Sequence, residues 1–284
     1  MRKILIIVAV LLSQLSCTTS KQKVNFYAEG DSDALGYLFI IGGGERPDYL
    51  MLKLMSFAGE GEKNVIIVPF ASSEQEITGA FQKEQFMRLG ATSCEVLLCE
   101  KEDIDKQENI DKLSKANIIF FSGGDQNILT EYLNGTGFLA KIKSIYKEGG
   151  VIGGTSAGAA VMSRVMITGK EKNINSGNQD FVQIEKENII TADGFGFLDN
   201  VIVDQHFIYR KRQNRLFSVL LDNPGFRGVG IDESTAIIVK PNNTFEVIGE
   251  SNVLVFEPVN LLVNKEMSPV FIIRILSSGD SYNL

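Results

Sequence analysis

The chain has 284 residues, 44% of them hydrophobic, with no tryptophan and 6 prolines, a composition that suits one large domain with an ample core. Its formal net charge of -7 and isoelectric point near 5.0 argue against a nucleic-acid surface and make any basic cluster a local feature.

Arg2 and Lys3 precede an unbroken apolar run, Ile4 to Leu12, too short for a stable membrane span. Ser13 to Ser16 then lead to Cys17. Residues 1–17 therefore predict an export signal, and the cysteine behind the apolar run resembles the lipidated first residue of a bacterial lipoprotein, although Gln14 stands where an aliphatic residue is usual. Residues 18–33 are mostly polar and predict a tether, leaving 34–284 as a single domain. The protein is thus expected to be exported and attached to a membrane only through a lipid on Cys17, or else secreted.

Tyr37 to Ile41 is a buried-type strand running into Gly42-Gly43-Gly44, and Pro47 opens a helical pattern to Ala58. Asn64 to Pro69 is the next strand. Ser73 and Glu76 then propose a capping box for a helix that stops near Gly90. Cys94 to Cys99 reads as a strand; the odd offset puts the two thiols on opposite faces and predicts no disulfide between them. A short helix falls in the charged stretch 101–115. Asn117 to Phe121 is a strand entering Ser122-Gly123-Gly124-Asp125-Gln126, with helices predicted over Gln126 to Leu133 and Phe138 to Lys147. Strands alternating with helices predict an α/β fold with a doubly wound parallel sheet, whose sites lie at the C-terminal strand ends. Beyond residue 170 the pattern changes: an irregular loop, a strand Val201 to Phe207, a helix Arg210 to Leu221, and antiparallel strands 228–240 and 244–256 forming a C-terminal edge.

Gly149 to Ser163 organises the chain. An apolar strand meets Gly153-Gly154-Thr155-Ser156-Ala157-Gly158 and a run of small residues, so Ser156 occupies a strand-to-helix corner of the G-x-S-x-G kind. Glycines relieve the strained backbone there, and the following N–H groups face a developing oxyanion. His206 is the sole histidine, so an imidazole base for Ser156 has no other candidate, and a Cys/His zinc site is improbable. Arg210, Lys211, Arg212 and Arg215 concentrate positive charge downstream, suited to carboxylate recognition. No Walker-type phosphate loop is present.

The segments Ile40 to Glu45, Phe121 to Gln126, Gly154 to Ala159, Val203 to Phe207 with its three arginines, and Gly230 to Ala236 resemble the cyanophycinase branch of the S51 serine peptidases, relatives of the aspartyl dipeptidases. The resemblance spans about residues 37 to 256. It implies a flavodoxin-like fold, akin to class I glutamine amidotransferases, needing no cofactor. It also implies Ser156 as nucleophile, His206 as general base, and a glutamate shortly after the nucleophile helix, Glu171, as the acid behind the imidazole. Asp232, Glu185 and Glu187 are alternatives for that acid. Gly124 and Ala157 would form the oxyanion hole, and Asp125, Gln126, Asp204, Gln205, Arg210, Arg212 and Arg215 would contact substrate. The substrate implied is cyanophycin, a poly-aspartate backbone with arginine joined through each side chain, released as β-aspartyl-arginine dipeptides. Short aspartyl peptides, or peptide binding without cleavage, are the competing readings. A homodimer is expected from the family rather than from any residue pattern.

Overall fold

The computed structural model describes residues 34–173, 181–263 and 266–284. The export signal, Cys17 and the tether to residue 33 lie outside the described residues.

In chain order the elements are β1 (Tyr37–Ile41), α1 (Asp48–Ser56), β2 (Asn64–Val68), α2 (Gln75–Arg88), β3 (Ser93–Val96), α3 (Gln107–Lys112), β4 (Ile118–Phe121), α4 (Gln126–Leu133), α5 (Gly137–Lys147), β5 (Val151–Thr155) and α6 (Ala157–Ala160). They continue with β6 (Val165–Glu171), β7 (Ile189–Asp193), β8 (Val201–Gln205), α7 (Gln213–Asp222), β9 (Arg227–Ile231), β10 (Thr235–Val239), β11 (Thr244–Gly249), β12 (Val253–Val263), β13 (Glu266–Leu276) and β14 (Ser281–Asn283). The principal sheet has the order β14-β11-β10-β1-β5-β4-β2-β3. Its five strands from β1 to β3 are mutually parallel, while β10, β11 and β14 are antiparallel at one side.

The central parallel strands β1, β5, β4 and β2 are buried on both faces, as a parallel sheet covered on both sides requires. Within β1, Phe39 and Ile41 meet Leu50, Met51 and Leu54 of α1 and Phe86 of α2. Leu38 and Ile40 belong to the opposite core with Leu129 and Leu133 of α4 and Phe138 and Ile142 of α5. The doubly wound expectation with its antiparallel C-terminal edge therefore holds.

The C-terminal half departs from its sequence reading. Both long segments expected as single strands are split between sheets. Residues 228–240 give β9 and β10, and 244–256 give β11 and the start of β12. β10 and β11 extend the principal sheet, whereas β9 and β12 join β8 and β13 in a second sheet of order β13-β12-β9-β8. The break falls at Asp232–Ser234, where Ser234 has φ 51 and the chain cannot continue extended. β8 thus belongs to the second sheet and not to the parallel one. The second sheet's outer face is covered by Leu216, Val219 and Leu220 of α7.

Smaller corrections follow the same logic of local geometry. α7 begins at Gln213 rather than Arg210, so Arg210 and Arg212 precede the helix and Arg215 lies within it. α2 begins at Gln75 with no side-chain cap, and the hydroxyl that serves its first turn is Ser72, bonded to Thr78 and to the Glu74 N–H. β3 stops at Val96, before Cys99, and both thiols are free. No described helix is long and apolar enough to cross a membrane.

Candidate active site

β1, β5 and β4 lie side by side, so their three glycine turns open at one edge of the principal sheet. Ser156 follows β5 with φ 54 and ψ −109, a strained conformation for a residue with a side chain. Its surroundings hold it there: the Ser156 N–H donates to the Ile41 carbonyl at 3.1 Å, and its own carbonyl accepts from Ala159 and Ala160 at 2.9 and 3.0 Å. The small residues after it let α6 sit against β4. A Cβ on Gly158 would come within 2.3 Å of the Phe121 carbonyl oxygen. α6 is a single turn of four residues, so what it offers an oxyanion is the backbone N–H at its start rather than a long helix dipole.

The only histidine arrives from the other sheet. β8 ends at Gln205, and His206 turns away with φ 50. β8 and the turn after it are fixed by two hydrogen bonds, Val203 N–H to Ser163 Oγ behind α6 at 2.9 Å and His206 N–H to the Gly42 carbonyl in the turn after β1 at 2.7 Å. The imidazole lies against Gly43 (φ 109), where a Cβ would stand 2.3 Å from ring Cε1. Glycine is required there by both the conformation and the ring.

Ser156 Oγ lies 2.8 Å from His206 Nε2, and His206 Nδ1 lies 2.5 Å from Glu233 Oε1. A carboxylate only accepts, so Nδ1 carries the hydrogen and Nε2 is left to take the hydroxyl proton. Burial lowers the imidazole below its ordinary 6.5; the Glu233 hydrogen bond opposes this, and the Arg210 and Arg212 charges lower it further. The ring is therefore neutral at neutral pH, the form a base needs.

The carboxylate at the imidazole is not the one expected. Glu171 ends β6 and accepts from the Phe181 N–H and the Asn188 side chain, each at 3.4 Å. Glu185 accepts from Asn173, and the Glu187 N–H donates to Asp222. Asp232 faces away from the ring: Oδ1 accepts from the Ile208 and Tyr209 N–H groups at 3.0 and 2.9 Å, and Oδ2 from Ser251 at 2.7 Å. Glu233, its neighbour, reaches the imidazole because the Ser234 N–H donates to the Gly43 carbonyl at 2.9 Å and turns the chain under the ring. It lies inside the Gly230 to Ala236 motif, but sequence order does not say which of two adjacent acids faces inward.

The residues expected at the oxyanion and substrate fall into two groups. No acceptor among the described residues takes the N–H of Gly124 or Ala157, and the neighbouring Gly123 approaches the Ser156 side chain. Arg210 lines the cleft beside Ser156 and His206. The others are held by protein partners. Asp204 and Arg215 form a fully buried bidentate pair, 2.8 Å at Nε. Arg212 donates to the Gln205 carbonyl at 2.8 Å and to its side chain, and burial, with Arg215 nearby, brings it down to about 10. Gln126 donates to the Ile167 carbonyl, and Asp125 caps α4 through the Asn127 N–H.

The cleft over Ser156 has a volume of about 460 Å³. Much of its far wall comes from residues to which sequence reasoning gave no role: Arg46 from the β1–α1 loop, and Thr78, Phe81 and Gln82 from α2. The only sequence signal for Arg46 is a basic residue directly behind the Gly42–Gly44 turn. Among the described residues no group of acidic, cysteine and histidine side chains is arranged to hold a metal ion.

The profile of peptidase family S51 matches residues 38–247. The cyanophycinase of Synechococcus elongatus is 33% identical over 264 residues, covering 88% of this chain and 79% of that protein. The cyanophycinase of Geminocystis herdmanii is 36% identical over 228 residues, covering 78% and 80%. The crystal structure of a peptidase from an acI-B1 Actinobacterium superimposes with a TM-score of 0.68 at 25% identity, over 89% of this chain and 98% of the other.

Proposed function

The chain belongs to peptidase family S51 and is a serine-type peptidase, and on that premise we propose that it cleaves cyanophycin to β-aspartyl-arginine dipeptides through an acyl-enzyme on Ser156. The observation that carries the chemistry is the continuous line Ser156–His206–Glu233 at the edge of the cleft. The substrate assignment is supported by the cyanophycinases among the relatives and by a cleft that carries arginines in a protein of net charge -7.

His206 Nε2 takes the Ser156 proton as Oγ bonds to the carbonyl carbon of the scissile amide. The carbonyl oxygen becomes an oxyanion facing the Ala157 and Gly124 N–H groups, each such donor contributing ~3 kcal/mol to the transition state. The imidazolium, stabilised by Glu233, returns its proton to the leaving nitrogen as the amide bond breaks. Glu233 keeps its charge throughout and fixes the tautomer. Water then repeats the sequence on the ester and frees Ser156.

The enzyme in this reading is exported and held by a lipid on Cys17, and it degrades polymer outside the cytoplasm. Incubation with insoluble cyanophycin followed by identification of the released products tests the substrate. Soluble β-aspartyl-arginine, absent with Ser156→Ala, is expected. Cleavage of short aspartyl peptides alone would replace this substrate with the simpler one.

A further inference from the structure

Among the described residues, Arg46 has no counterion. Its Nε is buried and has no hydrogen-bond partner, and no carboxylate among the described residues forms an ion pair with it. A guanidinium is costly to desolvate unless an anion or acceptor receives its N–H groups. Burial accordingly lowers its pKa. The loop that carries it is nonetheless fixed, because Gln85 donates to the Arg46 carbonyl at 2.8 Å. The main chain at Arg46 is thus fixed, and its side chain carries a buried Nε with no protein partner among the described residues.

Its location suggests what it is for. The cleft over Ser156 is lined by two arginines, Arg46 and Arg210, and by no carboxylate. They differ in state: Arg210 is half exposed and stands 4.0 Å from Glu233, whereas Arg46 has no ion-pair partner among the described residues and a buried Nε without an acceptor. Gly44, Arg46 and Phe81 also border an adjoining hollow of about 330 Å³, completed by Glu45, Pro47 and Gln85. Arg46 thus stands on the divide between the reacting centre and a second space, with the 63%-exposed Phe81 ring beside it.

We propose that Arg46 and Phe81 form a second substrate subsite, in which the Arg46 guanidinium binds a free carboxylate on the unit flanking the scissile bond. This rests on the peptidase reading of Ser156. It adds a requirement: the enzyme selects peptides that carry a carboxylate on the α2 side of the bond as well as at Arg210. The planar Arg46 fork receives a carboxylate through two parallel hydrogen bonds, which a lysine at that position does not reproduce.

The test compares a peptide of β-linked aspartyl-arginine units bearing free arginine carboxylates with the same peptide amidated at those carboxylates. The unmutated protein is expected to prefer the free acid. In Arg46→Gln the ratio of kcat/KM between the two peptides should fall by about 10- to 100-fold, mainly through KM, the size expected for one charge-assisted contact. Arg46→Lys should give an intermediate ratio. An equal effect of Arg46→Gln on both peptides would overturn the subsite, as would a wild-type enzyme indifferent to amidation, a result that needs no variant to fold. Binding of the free-acid peptide to Ser156→Ala protein by calorimetry separates this inference from the peptidase reading. If nothing is hydrolysed, binding that weakens with Arg46→Gln upholds the subsite, and binding that does not change overturns it.

Discussion

Asp232 and Glu233 are consecutive, and their carboxylates do unrelated work. Glu233 receives the His206 imidazole at 2.5 Å, while Asp232 accepts from the Ile208 and Tyr209 N–H groups on the far side of the same turn. One residue orients the ring, and the other shapes the loop that leads from the ring to Arg210.

Glu233→Gln should therefore lower kcat by about 10³- to 10⁴-fold, because an amide at Nδ1 no longer imposes the tautomer that leaves Nε2 as acceptor. Glu171→Gln should keep kcat within a few-fold of the unmutated enzyme, since its hydrogen bonds lie at the end of β6. Steady-state kinetics on the two variants decide between them, and the reverse pattern would return the acid to Glu171.

Asp232→Ala leaves two N–H groups and the Ser251 hydroxyl without their acceptor at a buried site. A loss of about 2–4 kcal/mol of folding stability is expected, read as a lower urea midpoint. A midpoint equal to that of the unmutated protein would remove Asp232 from this role.

Arg215→Ala strands the buried Asp204 carboxylate, with Arg212 at 4.0 Å as its nearest remaining cation. Destabilisation of about 3–5 kcal/mol follows, towards the lower end because of Arg212. A variant of unchanged stability but raised KM would instead make Arg215 a substrate contact.

The acidic limb of the kcat/KM profile should lie below 6.5, because burial disfavours the His206 imidazolium. Arg210→Gln removes a positive neighbour and should move that limb to higher pH. Stability has a linked sign. The unfolded chain protonates His206 more readily than the folded one, so this residue's contribution is complete above 6.5 and falls as pH drops from there towards the folded value. A limb above 6.5, or one unmoved by Arg210→Gln, would contradict the charge arrangement.

Gly43→Ala places a Cβ in the space of the imidazole and demands a left-handed conformation from alanine. The ring must shift off Ser156, and kcat should fall by at least about 100-fold, as a 1 Å misplacement can produce. Near-normal turnover would show that the ring has another resting place.

The parallel half of the fold is legible in the sequence because β1, β2, β4 and β5 are apolar runs, three of them entering glycine-bearing turns, with helical patterns between them. The Ser156 corner is legible for the same reason. The C-terminal half is not, because the Asp232–Ser234 break is a backbone event. Ile231 and Thr235 lie in different sheets, and no residue type between them announces a change of partner. That break also decides which acid meets His206. The arginines carry a related lesson: their charge is plain in the sequence, but only packing shows that Arg215 is consumed by Asp204 while Arg46 is left over.

Ser156 and His206 are 50 residues apart and follow strands of different sheets, and Glu233 comes 27 residues later from the link between those sheets. Hydrolytic power consequently belongs to neither sheet alone and appears only when the two have docked. A nascent or partly unfolded chain carries no competent protease that could cut its neighbours. In a refolding experiment, turnover would return only with the docking of the two sheets.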